Sequence, residues 1–311
     1  MSARFPAVDI VLVDGTADEI GEGPVWLPGG LEILDRDSRA QENHDTAALM
    51  RVDIGEPAII VLDPVTGMER RRLTDGPVGF AQPRTGGGLV AGVGRQIALL
   101  PDLGGPVRYI AEVEADHPGN RFNDAVCDPQ GRLWAGTIAL GTPGTAALYR
   151  MVAGEEPEVA IPDVTISNGM DWDRDATRLY YIDSATHRVD AIDFDLDRGR
   201  LGQRRPFVAI DPADGMPDGL CVDADGGVWV ALFGGGAIRR YRPDGTLDLH
   251  LPVPVTNPTS LAFGGPDLAD LYVTSARVAL TPEQLADEPQ AGALLRLRPG
   301  VLGRTPNAFV G

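Results

Sequence analysis

The feature that most constrains this chain is a repeat of short apolar strands, each following a turn that contains glycine or aspartate. From Val90 onward, equivalent positions recur at intervals of 44, 46, 49 and 43 residues. These positions are Val90, Trp134, Tyr180, Trp229 and Tyr272. Intervals of this size are the length of one β-propeller blade, so the repeat predicts a propeller.

Six such units fill the 311 residues, the first of them beginning with a strand at Gly30–Leu34. The sequence therefore predicts an all-β fold, a single six-bladed propeller domain over residues 1–311 with four antiparallel strands per blade. The repeated apolar strands are expected to be the innermost ones. An early strand at Val8–Val13 is expected to join the last blade and close the ring, which removes exposed sheet edges.

Two segments break the repeat. Residues 36–48 are polar and lack strand periodicity, so we expect a long loop within the first blade, before a strand at Leu49–Ile54. That loop is either a lid carrying His44 towards the site or a disordered surface insertion. Residues Pro282–Asp287 follow an N-cap Thr281 and have acidic residues in the first turn, which predicts a short helix.

Composition narrows the possible partners. The chain has 27 Lys plus Arg against 45 Asp plus Glu, a net charge of −18, which disfavours nucleic acid and anionic membranes. Aspartates in turns explain most of this excess, although a cation remains the natural partner. Cys127 and Cys221 lie apart in apolar runs and are expected to be free thiols. With no apolar signal core and no apolar run of 18 residues, the expected location is the cytoplasm.

Four polar segments flanked by Gly or Pro precede the predicted inner strands, where a propeller places residues at the mouth of its channel. They contain Glu22, Asn123, Asn168 and Asp218, and they contain no His or Cys. Oxygen donors from four blades that meet at one axis suit Ca²⁺, Mg²⁺ or Mn²⁺. Each motif alone is a common turn sequence, and it is their recurrence in successive blades that indicates a site.

The chain resembles the senescence marker protein (SMP-30)/regucalcin/gluconolactonase family of six-bladed propellers over nearly its whole length. The similar segments are Gly21–Trp26, Arg121–Asp124, Asp128–Thr137, Ser167–Gly169, Pro217–Leu220 with Trp229–Ala231, and Pro258–Gly265 with Leu271–Arg277. Together these segments are highly specific for this family.

The resemblance implies one divalent cation held by Glu22, Asn168 and Asp218. Ca²⁺ is the leading expectation, and Zn²⁺, Mn²⁺ and Mg²⁺ are the alternatives. The resemblance also implies that Arg121 and Asn123 meet the substrate and that Asp218 is the general base. In such a site a cation polarises a lactone or ester carbonyl while the carboxylate removes a proton from water. The resemblance thus implies a metal-dependent lactonase.

One departure concerns the substrate. Sugar-lactone members carry a Glu shortly after the Gly-Thr that matches Gly136-Thr137, whereas Ile138–Gly141 is apolar here. Either another residue supplies that contact or the substrate is a less hydroxylated, more apolar lactone or ester. A Ca²⁺-binding or ligand-sensing propeller without significant catalysis, or a hydrolase of organophosphate esters, remains an alternative. We expect a small-molecule substrate and a monomer or weak homo-oligomer.

Overall fold

Turns rich in Asp and Gly divide each repeat unit into short strands, which pair with their neighbours in sequence. The computed structural model describes residues 9–13, 17–28, 30 and 47–311. These residues form six four-stranded antiparallel sheets arranged as a six-bladed propeller. The predicted fold class is therefore confirmed.

The strands follow one another blade by blade. Blade 1 has β2 (Gly21–Leu27), β3 (Ala48–Asp53), β4 (Ala58–Leu62) and β5 (Glu69–Leu73); blade 2 has β6 (Val78–Pro83), β7 (Leu89–Val93), β8 (Gln96–Leu100) and β9 (Arg108–Glu112). Blade 3 has β10 (Arg121–Cys127), β11 (Leu133–Ile138), β12 (Ala146–Met151) and β13 (Glu158–Val164). Blade 4 has β14 (Ser167–Trp172), β15 (Arg178–Asp183), β16 (Arg188–Asp195) and β17 (Arg200–Ala209). Blade 5 has β18 (Met216–Val222), β19 (Val228–Phe233), β20 (Ala237–Tyr241) and β21 (Leu247–Pro252). Blade 6 has β22 (Pro258–Gly264), β23 (Asp270–Ser275), β24 (Leu295–Leu297) and the early strand β1 (Val11–Leu12).

The early strand closes the ring as predicted. Val11 pairs with Arg296 and Leu12 with Leu295, so β1 completes the sheet of blade 6 beside β24. The predicted helix is also confirmed as α1 (Pro282–Asp287), which begins with a capping box between Thr281 and Gln284. No helix in the described part of the chain is long and apolar enough to cross a membrane.

The prediction of which strand is innermost was wrong. The polar segments themselves form the first strands β2, β10, β14 and β18, and with β6 and β22 they contact one another around the axis. The apolar strands that contain Trp134 and Trp229 are second in their blades. The innermost strands approach one another closely, so that a Cβ on Gly79 in β6 would lie 2.2 Å from the Phe122 carbonyl oxygen in β10.

The hydrophobic core is divided into layers between neighbouring blades. One layer joins blades 1 and 2, for example, and another joins blades 3 and 4. Trp134 and Trp172 meet edge to face across the second of these layers, with ring centroids 6.0 Å apart. The four tryptophans are buried in such layers, where their large apolar side chains pack between blades.

The predicted lid belongs to the first blade, between β2 and β3. Of the predicted strand at Gly30–Leu34, residues 31–34 lie outside the described residues, as do residues 36–46 of the predicted loop, with His44. Ala48, expected in the loop, is already the first residue of β3. It pairs with Leu27, whereas Glu22 pairs with Val52. The chain therefore leaves β2 and enters β3 at the end of the blade remote from Glu22.

Candidate functional site

The site residues lie where the innermost strands depart from regular pairing. In β2, β10, β14 and β18 the register with the second strand shifts beside Glu22, Asn123, Asn168 and Asp218 respectively. A β-bulge of this kind bends the strand and turns a side chain that would otherwise follow the pleat. The equivalent irregularities in β6 and β22 show that the fold repeats this device in every blade.

Glycine follows three of the site residues, and after Asn168 and Asp218 the reason is that the innermost strands approach closely there. A Cβ on Gly169 would lie 2.3 Å from the backbone nitrogen of Leu220 in the neighbouring inner strand. A Cβ on Gly219 would lie 2.3 Å from the Ser260 hydroxyl oxygen in the next one. Asn168 and Asp218 therefore precede glycine for a steric reason, and the close contact brings their side chains towards a common axis.

A chain of hydrogen bonds joins blades 3 and 4 at this point. The Arg121 guanidinium donates to Oδ1 of Asn123 at 2.9 Å. The Asn123 amide donates to the Ser167 carbonyl at 3.0 Å and lies 3.3 Å from Oδ1 of Asn168. The Asn168 amide in turn donates to the Ser184 hydroxyl at 3.0 Å. The oxygen of Asn168 thus faces the Asn123 amide, and its amide group is held by Ser184.

Glu22 and Asp218 are two buried carboxyls that raise one another's energy when both are charged. Each is 6% exposed. Burial raises the pKa of Glu22 well above its usual value, and the charges of Asp218 and Asp124 raise it further. Burial and the charge of Asp124 likewise raise the pKa of Asp218, against a lowering contribution from the Asn168 side chain. Oδ1 of Asp218 has no hydrogen-bond partner among the described residues.

The predicted ligand set therefore fits a hard divalent cation. The two buried carboxylates and the amide oxygen of Asn168 are oxygen ligands of the kind that such a cation prefers. One of these oxygens, Oδ1 of Asp218, receives no hydrogen bond from the described residues. A bound positive charge would relieve both the burial and the mutual repulsion that raise the two pKa values. No group of three or more His, Cys, Asp or Glu side chains is placed to bind a metal within the described ranges. The predicted set has two carboxylates, and its third member is an amide.

Sequence reasoning overlooked Asp124. Burial raises the pKa of its carboxyl to about 7, although a hydrogen bond from the Ala125 amide, at 2.7 Å, lowers it. Its charge acts on both Glu22 and Asp218. The signal was available in the sequence, because the residue after Asn168 and the one after Asp218 are glycine, whereas the residue after Asn123 is aspartate.

Asp124 also faces an axial cavity of about 220 Å³, which all six innermost strands line beyond the site. The C-terminal segment closes this cavity on the face remote from Glu22. Arg304 in that segment donates to the Asp171 carboxylate at 2.8 Å, and Asn307 donates to the Cys127 carbonyl at 3.0 Å. The C-terminal segment thus lies at the end of the axial cavity that is lined by the later residues of the innermost strands.

Arg121 and Asn123, the residues predicted to meet the substrate, lie at the same site. Arg121 carries a guanidinium whose pKa burial lowers to about 10, with the charge of Glu22 acting in the opposite direction, so it remains a cation at neutral pH. Its backbone pairs with Ile138, the first residue of the apolar segment that departs from the sugar-lactone pattern. Leu140 in that segment is 61% exposed. Glu22, Arg121, Asn123, Asn168 and Asp218 thus come together, with an apolar rim beside Arg121.

Comparison with known proteins agrees with the observed fold. Residues 20–277 match the family model described as the SMP-30/Gluconolactonase/LRE-like region. Regucalcin of Xenopus laevis is 33% identical over 98% of this chain and 99% of its own length. A luciferin-regenerating enzyme superposes with a TM-score of 0.86 at 30% identity, covering 98% of this chain and 100% of that one. The calcium-binding protein regucalcin of Agrobacterium tumefaciens has a TM-score of 0.85 at 28% identity, over 96% of each chain. A propeller with this site and these relatives along almost its whole length belongs to the SMP-30/gluconolactonase/LRE-like family.

Proposed function

We propose that this protein is a divalent-metal-dependent hydrolase that opens a small lactone or a related carboxylic ester. The observation that carries the proposal is the pair of buried, mutually repelling carboxyls of Glu22 and Asp218, with one Asp218 oxygen left without a hydrogen-bond partner among the described residues. Together with Asn168 these groups would hold Ca²⁺, or else Zn²⁺, Mn²⁺ or Mg²⁺. The cation, when bound, would polarise the substrate carbonyl and make a nearby water more acidic.

The chain's own residues would then divide the remaining work. Asp218 accepts a proton from the attacking water, because its carboxylate lies at the axis and its free oxygen is available to a donor. Arg121 offers a buried positive charge to the oxygen on which negative charge develops. Asn123 fixes the position of Arg121, since its amide oxygen accepts a bond from the guanidinium.

The rim supports a substrate with an apolar substituent. Ile138 lies opposite Arg121 across the first two strands of blade 3, and Leu140 is largely exposed in the segment that follows. An apolar side chain at the mouth of the channel cannot replace the hydrogen bonds that a polyol loses on leaving water. We therefore propose a substrate less hydroxylated than a sugar lactone, which enters from this face, and the cytoplasm as the compartment.

The test is a panel of sugar lactones, alkyl lactones, carboxylic esters and organophosphate esters, assayed after chelation and after reloading with each of the four cations. We expect alkyl lactone hydrolysis that disappears on chelation and returns with metal. Asp218→Asn should lower turnover by about 10²- to 10⁴-fold, the usual contribution of a positioned general base. Asp225→Asn, at an exposed position in the turn that follows β18, is the matched control.

The outcomes separate the candidates. Wild-type turnover by Asp218→Asn would show that Asp218 is not the base. Tight cation binding without turnover of any substrate would favour a Ca²⁺-binding or ligand-sensing propeller, which the calcium-binding relative from Agrobacterium tumefaciens supports as the second candidate. Turnover confined to the organophosphate esters would move the proposal to that substrate class.

A further inference from the structure

The backbone carbonyl that precedes each predicted metal ligand is held by a side chain. These carbonyls belong to residues that still pair with the second strand of their blade, and the register shift follows directly after them or one residue later. The carbonyl of Gly21, before Glu22, accepts from the Thr259 hydroxyl at 2.5 Å. Ser167 and Pro217 precede Asn168 and Asp218, and their carbonyls also accept from side chains, as described next. Because the same hydrogen bond occurs before all three predicted ligands, it is a regular feature of the site.

The donor comes from the preceding blade in all three cases. Thr259 lies in blade 6 and holds the carbonyl before the ligand of blade 1. Asn123 lies in blade 3 and donates to the Ser167 carbonyl in blade 4 at 3.0 Å. Ser184 follows the second strand of blade 4 and donates to the Pro217 carbonyl in blade 5 at 2.7 Å. Each blade therefore fixes the ligand-bearing bulge of the next.

Two of these donors have no part in the proposed chemistry. Ser184 is fully buried in a 3-10 turn at Ser184–Thr186, and its hydroxyl also accepts the bond from the Asn168 amide. Thr259 is 1% exposed, and its hydroxyl lies 2.9 Å from that of Thr274. A buried hydroxyl in such a network restricts the backbone that it contacts. This restriction matters because the repulsion between the charges of Glu22 and Asp218 favours their separation.

We propose that Ser184 and Thr259 are positioning residues of the cation site. Thr259 would orient Glu22 through the Gly21 carbonyl, and Ser184 would orient Asp218 through the Pro217 carbonyl and Asn168 through its amide. The inference rests on the proposed function in so far as these three residues bind a cation. Partners that orient metal ligands typically change metal affinity by about 10- to 100-fold when they are removed.

The test compares Thr259→Val, which keeps the side-chain shape and loses the hydroxyl, with Thr259→Ser, which keeps the hydroxyl. Ser184→Ala removes the second donor. Ser275→Ala is the control, because its buried hydroxyl donates to the Ala293 carbonyl at 2.7 Å. Calcium binding to each metal-stripped protein is measured by calorimetry, and crystal structures record the positions of the Glu22 and Asp218 carboxylates.

We expect calcium affinity to fall by about 10- to 100-fold in Thr259→Val and Ser184→Ala, and to stay near that of the wild type in Thr259→Ser and Ser275→Ala. In the crystals Glu22 should move in Thr259→Val, and Asp218 in Ser184→Ala. Wild-type affinity with unmoved carboxylates would overturn the proposal, and the Thr259 pair decides the matter should Ser184→Ala fail to fold. If the wild type binds no cation, the proposed function fails, and the carboxylate positions in the variants still decide whether the hydroxyls position them.

Discussion

Two aspartates five residues apart in blade 5 show how one residue type serves two purposes. Asp223, in the turn after β18, is fully buried, and its carboxylate accepts from the amides of Asp225 and Gly227, from Trp229 Nε1 at 2.8 Å and from Arg240 Nε at 2.7 Å. Asp218, near the start of the same strand, is nearly as buried, yet its Oδ1 has no partner among the described residues.

The difference lies in what completes each carboxylate. Asp223 is completed by the fold, and the pattern recurs in blade 3, where Asp128 accepts from Trp134 Nε1 at 3.0 Å and from Arg132 Nε at 2.5 Å. Buried polar groups are normally hydrogen-bonded, and Oδ1 of Asp218 has no such partner among the described residues. Under the proposed function, the cation completes this carboxylate.

Replacing each aspartate by asparagine should separate the two roles most strongly. Asp223→Asn removes the charge that faces Arg240 and should cost about 3 kcal/mol of unfolding free energy. Asp218→Asn should leave the unfolding free energy of the metal-free protein unchanged or raise it, because an unpaired buried carboxyl is lost. Urea unfolding with a chelator present measures both. A loss as large for Asp218→Asn as for Asp223→Asn would remove the distinction.

A cation should stabilise the folded protein by mass action. At a free concentration 100 times its Kd, a cation that binds only the folded state adds about 2.7 kcal/mol to the unfolding free energy. We expect Ca²⁺ to raise the thermal midpoint of the wild type and to have a much smaller effect on Glu22→Gln. Glu69→Gln is a control away from the axis, since Glu69 pairs with Arg51 at the outer strand of blade 1. An equal shift in Glu22→Gln would place the cation elsewhere.

The sequence predicted the blades because turn residues and apolar strands alternate at a fixed interval. It predicted the wrong innermost strand, since periodicity alone does not say which strand of a repeat faces the axis. Glu22, Asn123, Asn168 and Asp218 could be grouped because they stand at equivalent places, whereas the choice of Glu22, Asn168 and Asp218 as cation ligands came from the family resemblance and stays a prediction. Ser184 and Thr259 were not, because one lies in a turn after a second strand and the other in a first strand, and their common role follows only from the backbone they contact.

The smallest expected effect concerns Asp124, whose carboxylate shares features with both Asp223 and Asp218. It accepts one hydrogen bond, from its neighbour Ala125, and opens onto the axial cavity. Its pKa is raised from 3.8 to about 7 in the folded protein, chiefly by burial. The folded state therefore binds more protons than the unfolded state between these values. The stability that protonated Asp124 supplies is complete below pH 3.8 and is lost as the pH rises to about 7.

Asp124→Asn should abolish this loss. With a chelator present, we expect the variant to exceed the wild type by about 1–2 kcal/mol in unfolding free energy at pH 8, because the cavity lets the wild-type carboxylate keep part of its hydration. At pH 4 the difference should nearly vanish. Asp225→Asn, at an exposed position, should follow the wild type at both values. A gain of equal size at pH 4 and pH 8 would show that packing, and not the charge of Asp124, is responsible. A pH-dependent gain would show that Asp124, like Asp218, is a buried carboxylate whose charge lowers the unfolding free energy of the protein.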